Sequence, residues 1–313
     1  MDMASHALIG LTLYQTRRSR FPQYEPAVFW AAMIGSEMPD FDIIYYLEGS
    51  MAFLLNHRGM THSIPGLTIM SAVLTYLVRQ RYSSPNYSTI FKWAFSASLL
   101  HVFLDALNTW GTKVLFPFDN QWIALDILPF FDIPLILLCT ISLLCGYCVP
   151  VNSRRYAITA LCVFFIYIGG RGLLHEHLVH EVLLQYTANP IQKVSVLPTV
   201  NPLHWQTIIE TKTSVQLAEL NALDGHMNYT AWYPTYEDPL LSKVRSDVSV
   251  SQVLPFFRYP TLSLQHEAGK STVTISDLYF GTNSDRRATF ELKHDGSVVQ
   301  KYKAHRVTLP AFQ

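Results

Sequence analysis

The chain has 313 residues, and its 23 basic side chains balance 23 acidic ones. This balance excludes the basic excess of nucleic-acid-binding proteins, so no nucleic-acid partner is expected. Half of the residues are hydrophobic and only 15% are charged, yet the long apolar runs lie almost entirely before residue 170. The uneven split predicts a membrane-embedded part followed by a soluble domain.

Apolar stretches that predict helices occupy residues 4–16, 26–38, 63–78, 90–110, 130–149 and 156–170. Several are shorter than the ~20 residues that cross a hydrocarbon core. We therefore predict a mainly α-helical membrane bundle of about six apolar helices, several of them short. Residues 1–170 form this predicted domain, and residues 171–189 form a connecting helix.

The hydrophobic pattern changes to a period of two from about residue 190. Alternating segments lie at residues 205–212, 261–266, 271–280, 288–293 and 298–302. Such alternation is typical of half-buried strands. We predict a small antiparallel β domain over residues 190–313.

Positively charged residues predict how the helices are oriented. If each apolar segment crosses the membrane once, one side receives Arg17, Arg18, Arg20, Arg79, Arg81, Lys92, Arg154 and Arg155. The positive-inside rule makes that side cytoplasmic. The β domain and the polar residues described next then face the periplasm or exterior.

Histidines and aspartates interrupt the apolar segments on this outer side. Burying such groups is costly unless they hold something. His101 and Asp105 stand four residues apart, which places both on one face of a helix. Asp40 follows Pro39, a residue expected to end the preceding helix. The candidate metal ligands are His6, Asp40, His57, His62, His101 and Asp105.

Each of these residues also has a structural interpretation. His101 and Asp105 would form a hydrogen bond that locks two helices. His57 and His62 would be polar anchors of an interfacial loop, and His6 would cap its helix. His175, His177 and His180 on the connecting helix fit a solvated surface as well as a metal site.

Two further residues are assigned chemical roles. The planar guanidinium of Arg58 suits a developing oxyanion or a phosphate oxygen. Asp42 is interpreted as a second ligand, as a residue that orients a ligand, or as a general base. Just past the His101/Asp105 pair, a substrate pocket could be lined by Asn108, Trp110, Gly111 and Lys113.

The ligand set contains imidazole and carboxylate groups without thiolate. It suits Zn²⁺, Mn²⁺, Fe²⁺ or Mg²⁺ and does not choose among them. We take zinc as the first candidate, with manganese or magnesium as alternatives. Six candidates exceed the need of one tetrahedral ion, so one or two ions are expected.

The order of these motifs resembles the YdjM/YbcI family of bacterial inner-membrane proteins. The matching elements are His6 with Gly10, Pro39–Asp42, His57–Ser63, the segment His101–Gly111, and the later segments Asn201–Trp205 and Phe257–Pro260. The resemblance implies a membrane-bound, metal-dependent hydrolase whose metal is held by the matched histidine and aspartate positions. It also implies LexA control, and hence a link to the SOS response, as in some members.

The expected function is hydrolysis in the bacterial inner membrane. Metal-activated water would attack a phosphoester or ester, and a site in the outer leaflet favours a lipid-like substrate. The alternative is a non-enzymatic metal-binding membrane protein, either a transporter or a sensor. A third interpretation is a scaffold whose β domain binds a partner and whose polar cluster only holds the helices.

Overall fold

A computed structural model describes residues 1–17, 25–49, 52–53, 56–83, 85–186, 190–234, 244, 247, 250–251, 254, 257–267, 270–280, 287–292 and 298–304. The chain divides into two compact units. The first comprises Met1–Ile43, His57–Thr211 and Gln216–Trp232, and the second comprises Ile44–Asn56, Lys212–Val215 and Tyr233–Gln313. The boundaries predicted at residues 170 and 190 stay predictions, and Arg18 and Arg20 lie outside the described residues.

The helices begin at polar caps that the sequence supplies. They are α1 Met3–Gln15, α2 Glu25–Glu37, α3 Ile64–Arg81, α4 Tyr87–Leu107, α5 Ile133–Cys148 and α6 Ser153–Gln185. Short 3₁₀ helices span Met38–Glu48, Met60–His62 and Pro150–Asn152. Side chains of Asp2, Ser63, Asn86 and Asp132 accept first-turn N–H groups of α1, α3, α4 and α5, which stabilises each helix start.

Helices α1 and α4 run antiparallel, so the bundle has two distinct ends. The ring of His6 stacks on His101 near one end, and Arg17 lies over Trp93 near the other. The end marked by Arg17 also receives the C-terminus of α3, the N-terminus of α4 and the N-terminus of α6. Those termini carry the described basic residues Arg79, Arg81, Lys92, Arg154 and Arg155. These five basic residues and the candidate ligands therefore occupy opposite ends, and Arg58 lies with the ligands.

The prediction of about six membrane-crossing helices is wrong in its number. Among the described residues, two helices are long and apolar enough to cross a membrane, Tyr87–Leu107 and the stretch Pro150–Gln185. The apolar helix Ile133–Cys148 is shorter. Helices α1 and α2 have 13 residues each and rise only about 20 Å, against a hydrocarbon core of about 30 Å. The assumption that each apolar segment crosses once placed the basic residues on one side, but the lengths of the short helices do not support it.

Two four-stranded sheets follow the helices, in agreement with the predicted antiparallel β region. The first sheet contains β1 Ile191–Pro198, β2 His204–Thr211, β3 Ser214–Asn221 and β4 Met227–Pro234. Leu178 and Val182 of α6 pack with Val196 and Trp205 of this sheet. The second sheet contains β5 Pro260–Glu267, β6 Lys270–Asp277, β7 Arg287–Leu292 and β8 Val298–Ala304, paired in that order. Its core includes Val273, Ile275 and Phe290.

Helices α2 and α4 approach each other closely at Gly35, so a larger residue at this position should destabilise the protein. A Cβ atom on Gly35 would lie 2.6 Å from the carbonyl oxygen of Ala94 and 3.0 Å from its Cα. Because both atoms are backbone, Gly35→Ala must push the helices apart, and we expect a loss of about 1–3 kcal/mol in unfolding free energy.

Gly169 provides the matched control, because nothing lies within 4 Å of a Cβ atom built there. Gly169→Ala should leave stability unchanged or slightly raise it. Denaturant unfolding of detergent-purified variants measures both changes. Equal losses for the two variants would contradict the tight α2–α4 contact.

Candidate metal centre

Four side chains from three separate elements meet at the end of the bundle opposite Arg17. Asp40 comes from the 3₁₀ helix after α2, His62 from the 3₁₀ helix before α3, and His101 and Asp105 from the last turns of α4. One ligand atom of each lies within 4.8 Å of the corresponding atoms of the other three. These four residues, called the centre below, can hold a metal ion.

The spacing of these atoms matches a tetrahedral ion. The Nε2 atom of His62 lies 3.3 Å from Asp40 Oδ1 and 3.3 Å from Asp105 Oδ2. The Nε2 atom of His101 lies 3.6 Å and 3.4 Å from the same two oxygens. Bonds of about 2.1 Å in a tetrahedron separate ligand atoms by about 3.4 Å. These four separations are thus those expected around a tetrahedral metal ion.

The two histidines direct Nε2 toward the centre and Nδ1 away from it. Nδ1 of His101 donates to the carbonyl oxygen of Ser36 at 2.6 Å. The hydroxyl of Thr61 donates to Asp42 at 2.9 Å, so its oxygen accepts from Nδ1 of His62 at 3.0 Å. Both hydrogen bonds use Nδ1, so Nε2 of each ring faces the centre and would be the nitrogen that binds a metal.

Three of the four ligand atoms are buried without a hydrogen-bond partner among the described residues. They are Nε2 of His62, Nε2 of His101 and Oδ2 of Asp105. All three side chains are fully buried. Buried polar atoms without a partner are costly unless something binds them, and two imidazole nitrogens with two carboxylates fit a divalent ion.

Asp42 lies beside the centre and organises the loop that carries His62. Its carboxylate accepts hydrogen bonds from the backbone N–H of Arg58 at 3.0 Å, from Thr61 and from Nδ1 of His57 at 2.8 Å. Burial raises the pKa of Asp42, but the bond from His57 and its charge outweigh this and hold the pKa below its usual range. Of the roles left open for Asp42, orientation of a ligand has this geometric support.

Asp40 and Asp42 lie in a 3₁₀ helix rather than in an extended turn. Residues two apart in a 3₁₀ helix still point in different directions, because each residue turns the chain by about 120°. This explains why Asp40 enters the centre while Asp42 binds the loop.

Arg58 is a buried partner of the centre. One terminal nitrogen donates to Asp105 Oδ1 at 3.0 Å and the other to the Gly111 carbonyl at 2.9 Å. Its guanidinium carbon lies 5.4 Å from the centre of the Trp110 ring. The left-handed conformation of the loop falls on Arg58, with φ of 61°. Its predicted role toward an oxyanion stays a prediction.

His6 and His57 are close to the centre but outside the group of four. His6 is fully buried, its ring centroid lies 3.6 Å from that of His101, and its Nε2 lies 3.5 Å from Asp105 Oδ1. The amino group of Met1 contacts the same oxygen. His57 forms a second possible ligand group with Asp40 and Asp42, and burial lowers its pKa despite the bond to Asp42. Ligand roles for both histidines stay predictions.

Sequence reasoning passed over one carboxylate beside the centre. Glu37 ends α2, and one of its oxygens is buried without a hydrogen-bond partner in the described part of the chain. Burial, assisted by the negative charge of Asp40, raises the pKa of Glu37 to about 7. The sequence offered one sign of this carboxylate: Glu37 is an acidic residue at the end of an apolar helix, three positions before Asp40.

The histidines of α6 do not join either possible metal group among the described residues. His175 instead lies 3.1 Å from the carbonyl oxygen of Val196. It therefore links α6 to the first sheet, a role that neither the metal interpretation nor the solvated-surface interpretation predicted.

The comparisons with known proteins cover both the helices and the centre. The sequence model of the family described as "YdjM inner membrane protein" matches residues 1–178, more than half of the chain. The chain is 25% identical over 266 residues to a Bacillus subtilis (strain 168) protein named "Uncharacterized protein YfhP", covering 82% of this chain and 80% of that protein. No solved structure matches the chain.

Two histidines of one loop give a matched test of the centre. Purified protein should hold about one zinc ion, and His62→Ala should lose it because its Nε2 faces two carboxylate oxygens. His57→Ala should retain the ion, because Nδ1 of His57 is directed to Asp42. Elemental analysis after dialysis measures both. Retention by His62→Ala, or equal loss from the two variants, would contradict the assignment.

Proposed function

Since the chain belongs to the YdjM inner membrane protein family, we propose that it is a metal-dependent hydrolase of the bacterial inner membrane. The convergence of Asp40, His62, His101 and Asp105 on one point carries this proposal. The substrate that we propose is a phosphoester or ester of a lipid-like molecule. LexA-controlled expression remains an expectation from the resemblance.

Zinc suits the two imidazoles and two carboxylates, and manganese or magnesium are the alternatives. A bound ion would supply Lewis-acid polarisation of an ester oxygen and a lowered pKa for water. Of the four residues of the centre, Asp40 alone has a side chain that is not fully buried, and 15% of it is exposed. Substrate and water would therefore approach past Asp40. A second ion would use Asp40 with Asp42 and His57.

Buried hydrogen-bond donors beside the centre could bind a negatively charged oxygen of a substrate. Within the described residues, Nε of Arg58, Nδ2 of Asn108 and Oγ1 of Thr112 have no hydrogen-bond partner. Arg58 contacts both Asp105 and the Gly111 carbonyl, so these donors surround one short turn after α4. Donors that are fixed in place before the reaction stabilise a developing oxyanion strongly.

The same centre also supports a non-enzymatic function. Catalytic zinc sites usually have three protein ligands and an open position, whereas four protein ligands are typical of closed sites. Hydrolysis here requires a fifth position or displacement of the partly exposed Asp40. An ion transporter or sensor requires neither, so this alternative stays open.

Membrane placement is part of the proposal. The basic end would be cytoplasmic, so the centre and the C-terminal domain would face the periplasm in a multi-pass arrangement. The position of Arg17, Arg79, Arg81, Lys92, Arg154 and Arg155 at the end opposite the ligands supports this orientation.

Hydrolysis is tested with detergent-purified, zinc-loaded protein in mixed micelles that contain chromogenic lipid esters and phosphodiesters. We expect zinc-dependent cleavage that Asp105→Asn reduces to background, because that carboxylate contributes to the centre and its loss leaves Arg58 unpaired. His175→Ala is the control and should keep full activity. Zinc uptake into proteoliposomes without any cleavage, abolished by Asp105→Ala, would replace the hydrolase with the transporter.

Orientation is tested by fusing reporters to the full chain. Alkaline phosphatase fused after residue 313 should be active, because it folds only in the periplasm, and a green fluorescent protein fusion at the same place should be dark. The opposite pair of results would place the C-terminal domain in the cytoplasm and would contradict the proposed topology.

A further inference from the structure

A loop with an exposed apolar tip follows the span α4 at the end of the bundle that holds the centre. We propose that this loop, Lys113–Trp122, lies in the headgroup region of the phospholipid bilayer and binds a phospholipid phosphate there. The inference deepens the proposed function, because it identifies phospholipid as the substrate class. Below, these ten residues are called the interface loop.

The tip of the interface loop is apolar and does not pack on the described protein. Phe118 is 87% exposed and Leu115 is 50% exposed. The turn is well formed, since the N–H groups of Phe118 and Asp119 both donate to the Leu115 carbonyl, at 3.0 and 3.2 Å. Full exposure of a large apolar side chain forgoes about 1.5–3 kcal/mol of burial, and a lipid surface would recover that energy.

The position of the loop in the chain favours the bilayer as its partner. The candidate span Tyr87–Leu107 ends six residues before Lys113. Residues at that distance from a span lie near the boundary between hydrocarbon and headgroups. Aromatic side chains are enriched at this level because their rings tolerate both environments.

Charge at the base of the loop suits a phospholipid phosphate. The Lys113 ammonium lies 5.2 Å from the centre of the Trp122 ring and 5.9 Å from that of Phe116. Lysine near a span end extends its ammonium group to the phosphate level while its stem contacts apolar groups. The acidic member of the loop, Asp119, is used inside the turn, where it accepts from the Gln121 N–H at 2.9 Å.

Backbone hydrogen bonds attach the loop to the segment that carries the centre. The N–H of Lys113 donates to the Arg58 carbonyl at 3.2 Å, and the N–H of Ile64 donates to the Val114 carbonyl at 3.0 Å. Arg58 in turn contacts Asp105. A phospholipid bound at Lys113 would therefore be held next to the residues that surround the centre.

The apolar tip is tested with the full chain in nanodiscs that contain phosphatidylcholine with brominated acyl chains. Phe118→Trp adds a fluorophore at the tip, and its signal is taken as the difference from the wild type. Leu223→Trp is the control, since Leu223 is 76% exposed in the turn before β4 of the first sheet. We expect bromine to quench the added fluorescence at position 118 at least twofold more than at position 223.

Equal quenching at the two positions would overturn the lipid assignment. Emission at position 118 that shifts to the blue with protein concentration, without bromine quenching, would assign the tip to a contact between copies and would also overturn it. Circular dichroism and zinc content are measured on the same samples to show that both variants are folded.

The phosphate contact is tested by native mass spectrometry of protein released from nanodiscs. Lys113→Gln should retain fewer bound phospholipids than the wild type, whereas Lys113→Arg should retain as many. Equal retention by Lys113→Gln would remove this part of the proposal. These outcomes are separable from the hydrolase: a quenched tip on a protein that holds no metal removes only the proposed activity.

Discussion

Burial of two carboxylates and two imidazoles around one point is the constraint on which the ligand-bearing end of the bundle depends. Three of these four side chains are fully buried. Without a cation this arrangement would cost several kcal/mol for each buried charge. Asp105 shows how the charge is divided: one oxygen faces the centre, while the other is neutralised by Arg58 and the Met1 amino group.

Contacts between the helices hold the ligands of the centre in fixed orientations. His101 is held by the Ser36 carbonyl at the end of α2, and that carbonyl is in reach because Gly35 lets α2 approach the Ala94 backbone closely. The orientation of the His101 imidazole therefore depends on the close contact between α2 and α4. A bulkier residue at position 35 would move the carbonyl that fixes which nitrogen of His101 faces the centre.

Sequence periodicity predicted the parts of the site that lie on one element. His101 and Asp105 share a helix face because 3.6 residues make one turn, and the structure places both in the group of four. Which of the six candidate ligands meet could not be predicted, because the separation of His6 and His57 from that group depends on contacts between distant elements. The number of spans was overestimated because each apolar segment, including the short ones, was assumed to cross the membrane once.

Most polar groups of residues 57–62 bind the Asp42 carboxylate and do not face the centre. His57, the backbone of Arg58 and Thr61 all donate to this one carboxylate, and Arg58 adopts a left-handed conformation that costs about 1–2 kcal/mol. The three hydrogen bonds offset that cost and leave His62, next in the chain, directed at the centre. Most polar residues of the motif thus fix the direction of one imidazole, which explains why the motif contains more potential ligands than one ion needs.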